Sequence, residues 1–271
     1  LALRPARGSP LHLLVPVTLY GHRLLFLLDT GAASTVVAAS AAEVLDLLDS
    51  TRPILGAVND RFGVQRVLPV ESLVVADRAF GDFDVAVIDM QGIRSGLGPE
   101  VAGVLGADVL GLAPCEIDFV RRTLVLGRSA RDFVQSRAPG EADTTVAIEP
   151  IGGGWFVRAQ ADDREAFFLV DTGSNVTQIS DVLAEELGGA EVSRGRGIDA
   201  TGALEAALRT RRLAILAVGA LARRDFVVAV GETNLLGADF FAGMRLHVDV
   251  PASRLTPVSY THLTLPTNRE V

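Results

Sequence analysis

The stretch Phe26-Leu27-Leu28-Asp29-Thr30-Gly31-Ala32 decides the fold, because it returns later in the chain as Phe168-Leu169-Val170-Asp171-Thr172-Gly173-Ser174. In both copies an apolar run typical of a buried strand leads into an Asp on a turn that contains Gly. A single Asp-Thr-Gly is a weak signal, since three common residues often meet by chance. Two copies with the same lead-in predict that the two carboxylates belong to one site.

The surroundings of the two Asp turns repeat as well. Upstream of the turns, Val15–Leu19 aligns without gaps with Val157–Ala161. Downstream of them, Val104–Asp108 returns as Leu235–Asp239. Such long-range self-similarity is typical of a chain that contains two copies of one structural unit. The sequence therefore predicts two similar lobes.

We predict an N-terminal lobe at residues 11–127, a linker at 128–145 and a C-terminal lobe at 146–257. The linker combines Ser, Arg, Pro, Gly and acidic residues, a composition typical of connecting segments. Residues 258–271 resemble the read-through of a sequencing adapter, so we interpret them as a non-native tail. The chain opens without a signal-peptide pattern, which leaves the compartment unknown; export, with the signal missing from this sequence, is one alternative.

The composition argues against several classes of function. Hydrophobic residues make up 49% of the 271 residues, but no apolar run reaches the length of a membrane span. All 25 basic residues are Arg, which removes Schiff-base chemistry and the lysine of a phosphate loop. The net charge of −8 argues against a nucleic-acid-binding surface. A single cysteine, Cys115, excludes an intrachain disulfide and, with only four His, argues against a structural zinc site.

The local patterns predict a mainly β chain with short helices after the Asp turns. Apolar runs on both sides of Tyr20-Gly21-His22 predict a hairpin that delivers Asp29 at its end. Helical spacing of apolar residues then follows each turn, at Val36–Leu48 and near Asp181–Leu187.

Two further hairpins are predicted to project from the lobes. Gly56–Gln65 and Gly197–Ala206 have polar centres between apolar flanks, a pattern typical of exposed hairpins. We place both hairpins from turn chemistry alone. The Gly-rich segment Gln91–Glu100 is interpreted as a loop, and Glu116–Leu126 as a terminal hairpin.

Two Asp turns in similar lobes have a direct chemical consequence. Similar lobes can pack about an approximate two-fold axis, which would bring Asp29 and Asp171 together at that axis. Two carboxyl groups at such short range cannot both ionise, so they share one proton. One of them is then a general base and the other a general acid, which makes Asp29 and Asp171 the candidate catalytic residues.

The residues beside the two Asp fit that task. A Thr after each Asp can hydrogen-bond across the axis, and the Gly after each Thr permits a tight turn. Downstream, Gly106 and Gly237 follow apolar residues that can pass behind each turn, so we interpret them as scaffold. The predicted loop-support residues are Thr30, Gly31, Ala32, Thr172, Gly173 and Ser174.

The two turns differ at one position. Ser174 can donate a hydrogen bond to Asp171, whereas Ala32 offers Asp29 no such donor. A donor favours the charged form of a carboxyl group. The sequence therefore predicts that Asp171 is the more readily ionised partner.

With these motifs the chain resembles an aspartic peptidase of the retropepsin-like group, of the single-chain, two-lobed bacterial type. Both lobes match its Asp-Thr-Gly-Ala/Ser turn and its later hydrophobic-hydrophobic-Gly, and the match covers roughly Leu11 to Pro257. The resemblance implies an acid-protease fold of two pseudo-symmetric, β-barrel-like lobes. It also implies flaps over an extended peptide or protein substrate, and hydrolysis of peptide bonds by an activated water without metal or covalent intermediate; we place the flaps at the two exposed hairpins. With both lobes in one chain, we expect a monomer with an internal pseudo-two-fold axis, and we expect no cofactor.

Plainer interpretations exist for the acidic residues. Each Asp of the repeated turn could simply cap a helix, but the repetition of the whole unit disfavours this. Asp108 and Asp239 are interpreted as helix caps, since each follows Gly-Ala and precedes apolar residues. Asp118 and Asp249 alternate with apolar neighbours, so we place them on the solvent face of a strand.

Two other interpretations stay open at this stage. His12, His22 and His247 have no nucleophile pattern beside them, so we interpret them as structural. The chain as a whole could be an active endopeptidase or a catalytically silent peptide-binding module with the same cleft. Intact Asp-Thr-Gly in both copies favours the enzyme.

Overall fold

A computed structural model describes residues 1–58, 61–127, 145–188, 193–198 and 204–260. Strands dominate these residues, so the predicted mainly β class is confirmed, as is the two-lobed repeat of the acid-protease fold. No helix in these ranges is long and apolar enough to cross a membrane.

The first half of the chain contributes twelve of the described strands. They are β1 (Arg4–Ala6), β2 (Ser9–Leu19), β3 (His22–Leu28), β4 (Val36–Ala38), β5 (Arg52–Val58), β6 (Arg61–Val70), β7 (Leu73–Val75), β8 (Arg78–Phe80), β9 (Phe83–Ile88), β10 (Val101–Leu105), β11 (Cys115–Asp118) and β12 (Thr123–Leu126). The helices of this half are α1 (Ala39–Val44), α2 (Gln91–Leu97) and α3 (Ala107–Leu110), with a 3₁₀ turn at Leu48–Ser50.

The second half repeats much of this order in its described part. Its strands are β13 (Val146–Ala147), β14 (Glu149–Ile151), β15 (Gly154–Ala161), β16 (Arg164–Val170), β17 (Gln178–Ser180), β18 (Ser193–Ile198), β19 (Leu204–Val218), β20 (Leu221–Gly231), β21 (Leu235–Leu236), β22 (Met244–Asp249) and β23 (Arg254–Ser259). One helix, α4 (Asp181–Glu186), is described in this half, and it follows the second Asp turn as predicted.

The strands form one large sheet in each lobe and a smaller sheet between the lobes. The first lobe has the order β5-β6-β9-β4-β10-β3-β2-β7-β8, with β1 on β2. The second lobe has the order β14-β15-β16-β21-β17-β20-β19-β18. In both lobes the strand that ends at the Asp turn lies parallel to the strand of the later hydrophobic signature, β3 with β10 and β16 with β21.

The smaller sheet, in the order β12-β11-β22-β23-β13, joins the two halves of the chain. Strand β11 pairs antiparallel with β22, so that Ile117 stands opposite Leu246. Both side chains are fully buried. Burial of such side chains stabilises the contact between lobes, since each is worth about 1.5–3 kcal/mol.

The hairpin that carries Asp29 is confirmed in detail. Strands β2 and β3 pair antiparallel, and Leu19 stands opposite His22 across a two-residue turn. Tyr20 and Gly21 both have positive φ angles, of 49° and 79°. This is the geometry of a type I′ turn, which matches the natural twist of two paired strands.

The predicted helix at 36–48 is shorter than expected. Val36–Ala38 forms strand β4 between β9 and β10, and the helix occupies Ala39–Val44. The two β-branched Val residues fit the pleated, buried surface between two strands better than a helix. Spacing of apolar residues alone could not separate a short strand from the first turn of a helix.

Segment 91–100, predicted as a loop, contains helix α2 instead. Its backbone hydrogen bonds include those from Arg94 N–H to Met90 C=O and from Gly98 N–H to Arg94 C=O. Ile93 and Leu97 pack against the core, which stabilises the helix despite its glycines. The Gly content outweighed this apolar spacing in the sequence-based prediction.

Asp118 was wrongly placed on the solvent face. It is 1% exposed and accepts hydrogen bonds from the N–H groups of Val120 and Arg121 and from the Tyr260 hydroxyl. The carboxylate therefore organises the turn of the β11–β12 hairpin, whose position was predicted correctly. The N–H groups of the turn supply the hydrogen bonds that the buried Asp118 carboxylate requires, so this side chain does not have to face solvent.

Several predicted segments fall partly outside the described residues. Strands β5 and β6 pair as an antiparallel hairpin up to Val58 and Arg61, and β18 pairs with β19 up to Ile198 and Leu204. The tips at 59–60 and 199–203, the linker residues 128–144 and the terminal residues 261–271 are not among the described residues. The predicted boundary at residue 258 lies inside β23, where Val258 pairs with Arg245.

Candidate active site

The two Asp turns begin at equivalent points of the two large sheets. The N–H of Asp29 donates to the carbonyl of Leu105 at 3.1 Å, and the N–H of Asp171 donates to the carbonyl of Leu236 at 3.0 Å. Each Asp is thus fixed by the strand that carries the later hydrophobic signature. The repeat seen in the sequence is a repeat of this local arrangement.

A reciprocal pair of threonines joins the two turns. The N–H of Thr30 donates to Thr172 Oγ1 and the N–H of Thr172 donates to Thr30 Oγ1, both at 3.1 Å. Each hydroxyl then donates to the opposite strand, to Val170 C=O at 2.6 Å and to Leu28 C=O at 2.9 Å. Both threonines are buried, so four hydrogen bonds fix one turn against the other in a region without competing solvent.

Each Asp carboxylate is oriented by its own turn. Asp29 Oδ1 accepts hydrogen bonds from the N–H groups of Gly31 at 2.9 Å and Ala32 at 3.0 Å. Asp171 Oδ1 accepts them from Gly173 and Ser174 at the same two distances. An Asp that accepts from the backbone two and three residues ahead forms an Asx turn, which fixes the direction of its side chain.

The two glycines bring the carboxyl groups together. A Cβ atom on Gly31 would lie 2.4 Å from Asp171 Cγ, and one on Gly173 would lie 2.2 Å from Asp29 Cγ. Any larger residue would therefore displace the opposite carboxyl group. As a result Asp29 and Asp171 hydrogen-bond each other, and both residues keep a partly exposed edge.

The contact between the carboxyl groups changes their acidity. Burial, followed by the charge of Asp29, raises the pKa of Asp171. Burial also raises the pKa of Asp29, but its backbone donors, a hydrogen bond from Asp171 and the nearby His12 oppose that effect. This pattern favours an ionised Asp29 beside a protonated Asp171.

The prediction that Ser174 makes Asp171 the more acidic partner is wrong. The Ser174 hydroxyl donates to the carbonyl of Val176 at 2.8 Å instead of to Asp171. It also accepts from the N–H of Val176 at 3.3 Å. A hydroxyl has a single proton to donate, so the local backbone uses the donor that was assigned to the carboxylate.

The predicted scaffold glycines lie where two backbones cross. A Cβ atom on Gly106 would lie 2.8 Å from the carbonyl oxygen of Ala32, and one on Gly237 would lie 2.7 Å from that of Val176. These contacts are too close for any side chain. Gly106 and Gly237 therefore stand directly behind the two Asp turns.

Asp108 and Asp239 tie the far end of each turn, a contact that the sequence did not reveal. Asp108 Oδ1 accepts from the N–H and the hydroxyl of Thr35 at 2.9 and 2.7 Å. Asp239 Oδ1 accepts in the same way from Thr177 at 2.9 and 2.6 Å. The predicted helix-capping role is wrong: the N-cap of α3 is Gly106, and the described residues directly after Asp239 form turns and no helix. Each carboxylate also accepts from the N–H of its following residue. The sequence does carry one signal for this contact, because Thr35 and Thr177 align in the two copies.

Comparison with known proteins places this geometry in a family. The model of a family described as aspartyl protease matches residues 15–109 and 157–240, one match for each copy of the repeat. The chain belongs to the aspartyl protease family. This match confirms the resemblance drawn from the two Asp-Thr-Gly turns and supports a protease-like function for this aspartyl protease family member.

More specific relatives add little to the assignment. No curated protein matches the chain. Among solved structures, conglutin gamma, described as a unique basic 7S globulin from lupine seeds, is similar at 11% sequence identity with a TM-score of 0.48. The likeness covers 95% of this chain and 93% of conglutin gamma.

Proposed function

We propose that the protein is an aspartic endopeptidase that hydrolyses peptide bonds with a water molecule activated between Asp29 and Asp171. The observation that supports this most directly is the mutual contact of the two carboxyl groups across the glycines of the opposite turns. Two carboxyl groups that hold one proton between them are a suitable acid and base pair. Membership of the aspartyl protease family agrees with this chemistry.

We assign the two roles from the directions of the electrostatic effects on the two carboxyl groups. The ionised Asp29 removes a proton from the water as the water oxygen attacks the peptide carbonyl carbon. The protonated Asp171 donates its proton to the carbonyl oxygen, which would otherwise carry the developing negative charge. As the resulting diol collapses, one hydroxyl proton returns to Asp171, the C–N bond breaks, and the proton held by Asp29 passes to the leaving nitrogen.

The threonine pair and the scaffold glycines support this mechanism indirectly. They keep the two carboxyl groups in place while charge moves between them, so little reorganisation accompanies the reaction. Thr30, Thr172, Gly106 and Gly237 are therefore positioning residues in this proposal. The catalytic residues are Asp29 and Asp171 alone.

The substrate we propose is a peptide or protein segment in extended conformation. Strand-like backbone is the form in which a chain can pair with exposed strand edges and reach a cleft between two lobes. The hairpins β5–β6 and β18–β19 are the elements we propose as covers for such a segment. Each of them lies at one end of its sheet, at β5 and at β18.

The experiment is cleavage of a random peptide library between pH 3 and pH 7, with mass spectrometry to locate the cut bonds. Asp29→Asn and Asp171→Asn replace each carboxyl group with an amide of the same shape. Because general acid and base catalysis each contribute about 10²- to 10⁴-fold, both variants are expected to lose at least about 10²-fold in rate.

Two results would contradict the proposal. Equal cleavage by the wild type and both Asn variants would show that the activity has another source. Peptide capture without cleavage by the wild type would instead identify a silent binding module. Urea unfolding of all three proteins serves as the control, since a loss of folding would also abolish cleavage.

A further inference from the structure

The two lobes differ at one position that faces the Asp29–Asp171 pair, which is called the dyad below. Continuing the register of β2 and β3 by two residues beyond Leu14 and Leu27 sets His12 opposite Asp29. Continuing that of β15 and β16 from Phe156 and Leu169 in the same way sets Gly154 opposite Asp171. An imidazole therefore accompanies one Asp, whereas a hydrogen atom accompanies the other.

In the second lobe a matching side chain would have to displace its apolar neighbours. A Cβ atom on Gly154 would lie 2.8 Å from Leu169 Cδ1 and 3.2 Å from the Phe156 ring. The asymmetry thus belongs to the packing of the lobes as well as to the sequence. His12 and Gly154 therefore break the approximate two-fold symmetry of the two lobes.

His12 reaches across the axis to the other Asp turn. Its Nε2 lies 2.7 Å from the carbonyl oxygen of Gly173, the residue that follows Asp171-Thr172. Since a carbonyl can only accept, Nε2 carries the proton and donates it. In the neutral ring Nδ1 is then an unprotonated acceptor.

The remaining nitrogen is unusual. His12 is only 8% exposed, and its Nδ1 is buried without a hydrogen-bond partner among the described residues. A buried polar atom without a partner costs about 1–3 kcal/mol, so a His at a purely structural position is expected to satisfy both nitrogens. Protonation of Nδ1 would instead create a cation beside the dyad.

The charged group that acts on His12 is Asp29. Burial lowers the pKa of His12, while the Gly173 carbonyl and the charge of Asp29 oppose that effect. In turn, His12 lowers the pKa of Asp29. The interaction is therefore reciprocal, as linkage between two titrating groups requires.

We propose that His12 is a positioning residue that favours the ionised form of Asp29 and extends its ionisation to lower pH. It does so by tying the Asp171 turn through Gly173 and by becoming cationic beside Asp29 as the solution is acidified. The proposal rests on the peptidase function only for its kinetic readout. The electrostatic coupling exists whether or not peptides are cleaved.

The kinetic test uses His12→Gln, because the Gln amide can donate to the Gly173 carbonyl but cannot become a cation. An opposite charge within a few ångströms shifts a carboxyl pKa by about one unit or more. Because His12 is the last of several groups that lower the pKa of Asp29, the acidic limb of the pH–rate profile should rise in His12→Gln by at most about one pH unit, with the stability at neutral pH retained. His12→Ala, which also loses the tie to Gly173, should lose stability as well.

His22→Gln is the matched control, since His22 lies exposed at the end of the same hairpin and should leave the profile unchanged. A merely structural role for His12 predicts that His12→Gln restores the wild-type profile. An acidic limb of His12→Gln that coincides with that of the wild type would overturn the proposal.

A second measurement does not require activity. The ring nitrogens of His12 are followed by ¹⁵N NMR against pH in the wild type and in Asp29→Asn. We expect protonation of His12 to move to lower pH in Asp29→Asn, because the anion that favours the cation is gone. Identical titrations would overturn the proposal even if the wild type cleaves peptides, and a shift would support it even if no peptide is cleaved.

Discussion

Thr30 and Thr172 bond each other reciprocally, each N–H donating to the other hydroxyl at 3.1 Å across the approximate two-fold axis. Both residues are buried, with at most 2% of their surface exposed to solvent. The pair is thus the point at which the two lobes fix the relative position of their Asp turns. Its removal should affect stability and catalysis together.

Replacing Thr30 by Val tests this relationship. Val has nearly the same shape but no hydroxyl, so the N–H of Thr172 loses its acceptor in a buried environment. The free energy of unfolding, measured with urea, should fall by about 1–3 kcal/mol. Thr30→Ser, which keeps the hydroxyl, is the control. Thr30→Val with wild-type stability would show that the pair contributes nothing to the fold.

Gly31→Ala should abolish the arrangement of the dyad without unfolding the lobe. The new methyl group would have to displace the Asp171 carboxyl group, whose Cγ lies 2.4 Å from the Cβ position. Because misplacement of a reacting group by about 1 Å can cost about 10²-fold in rate, we expect at least that loss of peptide cleavage.

The control for Gly31→Ala is Gly96→Ala in helix α2. A Cβ atom there meets no other atom within 4 Å, so the substitution should keep full activity and slightly raise stability. If Gly31→Ala cleaves peptides as fast as Gly96→Ala, the close approach of the two turns is not required for function.

The contact between the lobes should weaken in acid. His247 Nε2 lies 2.6 Å from Glu116 Oε2 across strands β11 and β22. This hydrogen bond, then the charges of His247 and Arg245, lowers the pKa of Glu116 against the opposing effect of burial. A depressed carboxyl pKa stabilises the fold above the ordinary value of 4.5, and the contribution disappears as the pH falls through the lowered value.

Glu116→Gln measures that contribution. A hydrogen bond to a charged group is worth about 1.5–3 kcal/mol, so the variant should be less stable by about that amount at pH 6. The difference from the wild type should shrink as the pH falls below 4. Exposed Glu43→Gln is the control and should change stability little at either pH. A difference that grows in acid would contradict the assignment.

Ala32→Ser should leave the pH dependence of cleavage unchanged. At the equivalent position the Ser174 hydroxyl donates to Val176 C=O, so a new hydroxyl at position 32 is expected to donate to Ser34 C=O and not to Asp29. The pH–rate profiles of Ala32→Ser and the wild type should coincide. A downward shift of the acidic limb would show that the hydroxyl reaches Asp29 after all.

The sequence predicted the fold and the approach of the two Asp turns because both are encoded in repeated local patterns. Each Asp-Thr-Gly comes with a strand before it and a later apolar segment with Gly, and every part of that unit occurs twice. Repetition gave each weak motif an independent check. The hairpin before Asp29 was also predictable, since its turn chemistry is local.

What the sequence did not predict depends on contacts between distant segments. The Ser174 donor is used by Val176, only two residues away, and no pattern of residue types distinguishes that from a bond to Asp171. The buried position of Asp118 likewise follows from its turn. His12 was interpreted as structural because no nucleophile pattern lies beside it, whereas the role proposed for it depends on the missing counterpart at Gly154. The difference between His12 and Gly154 is visible when the two copies are aligned. Only the strand register shows that these two residues stand opposite Asp29 and Asp171.

The central claim is that Asp29 and Asp171 form one pair that shares a proton, and carboxyl ¹³C NMR during a pH titration tests it most directly. We predict that the pair's last proton is lost well above the ordinary Asp value of 3.8 in the wild type. In Asp29→Asn the pKa of Asp171 should fall, because the charge of its partner is gone, but should stay raised by burial. Two carboxyl groups that titrate near 3.8, with Asp171 unaffected by Asp29→Asn, would contradict the account.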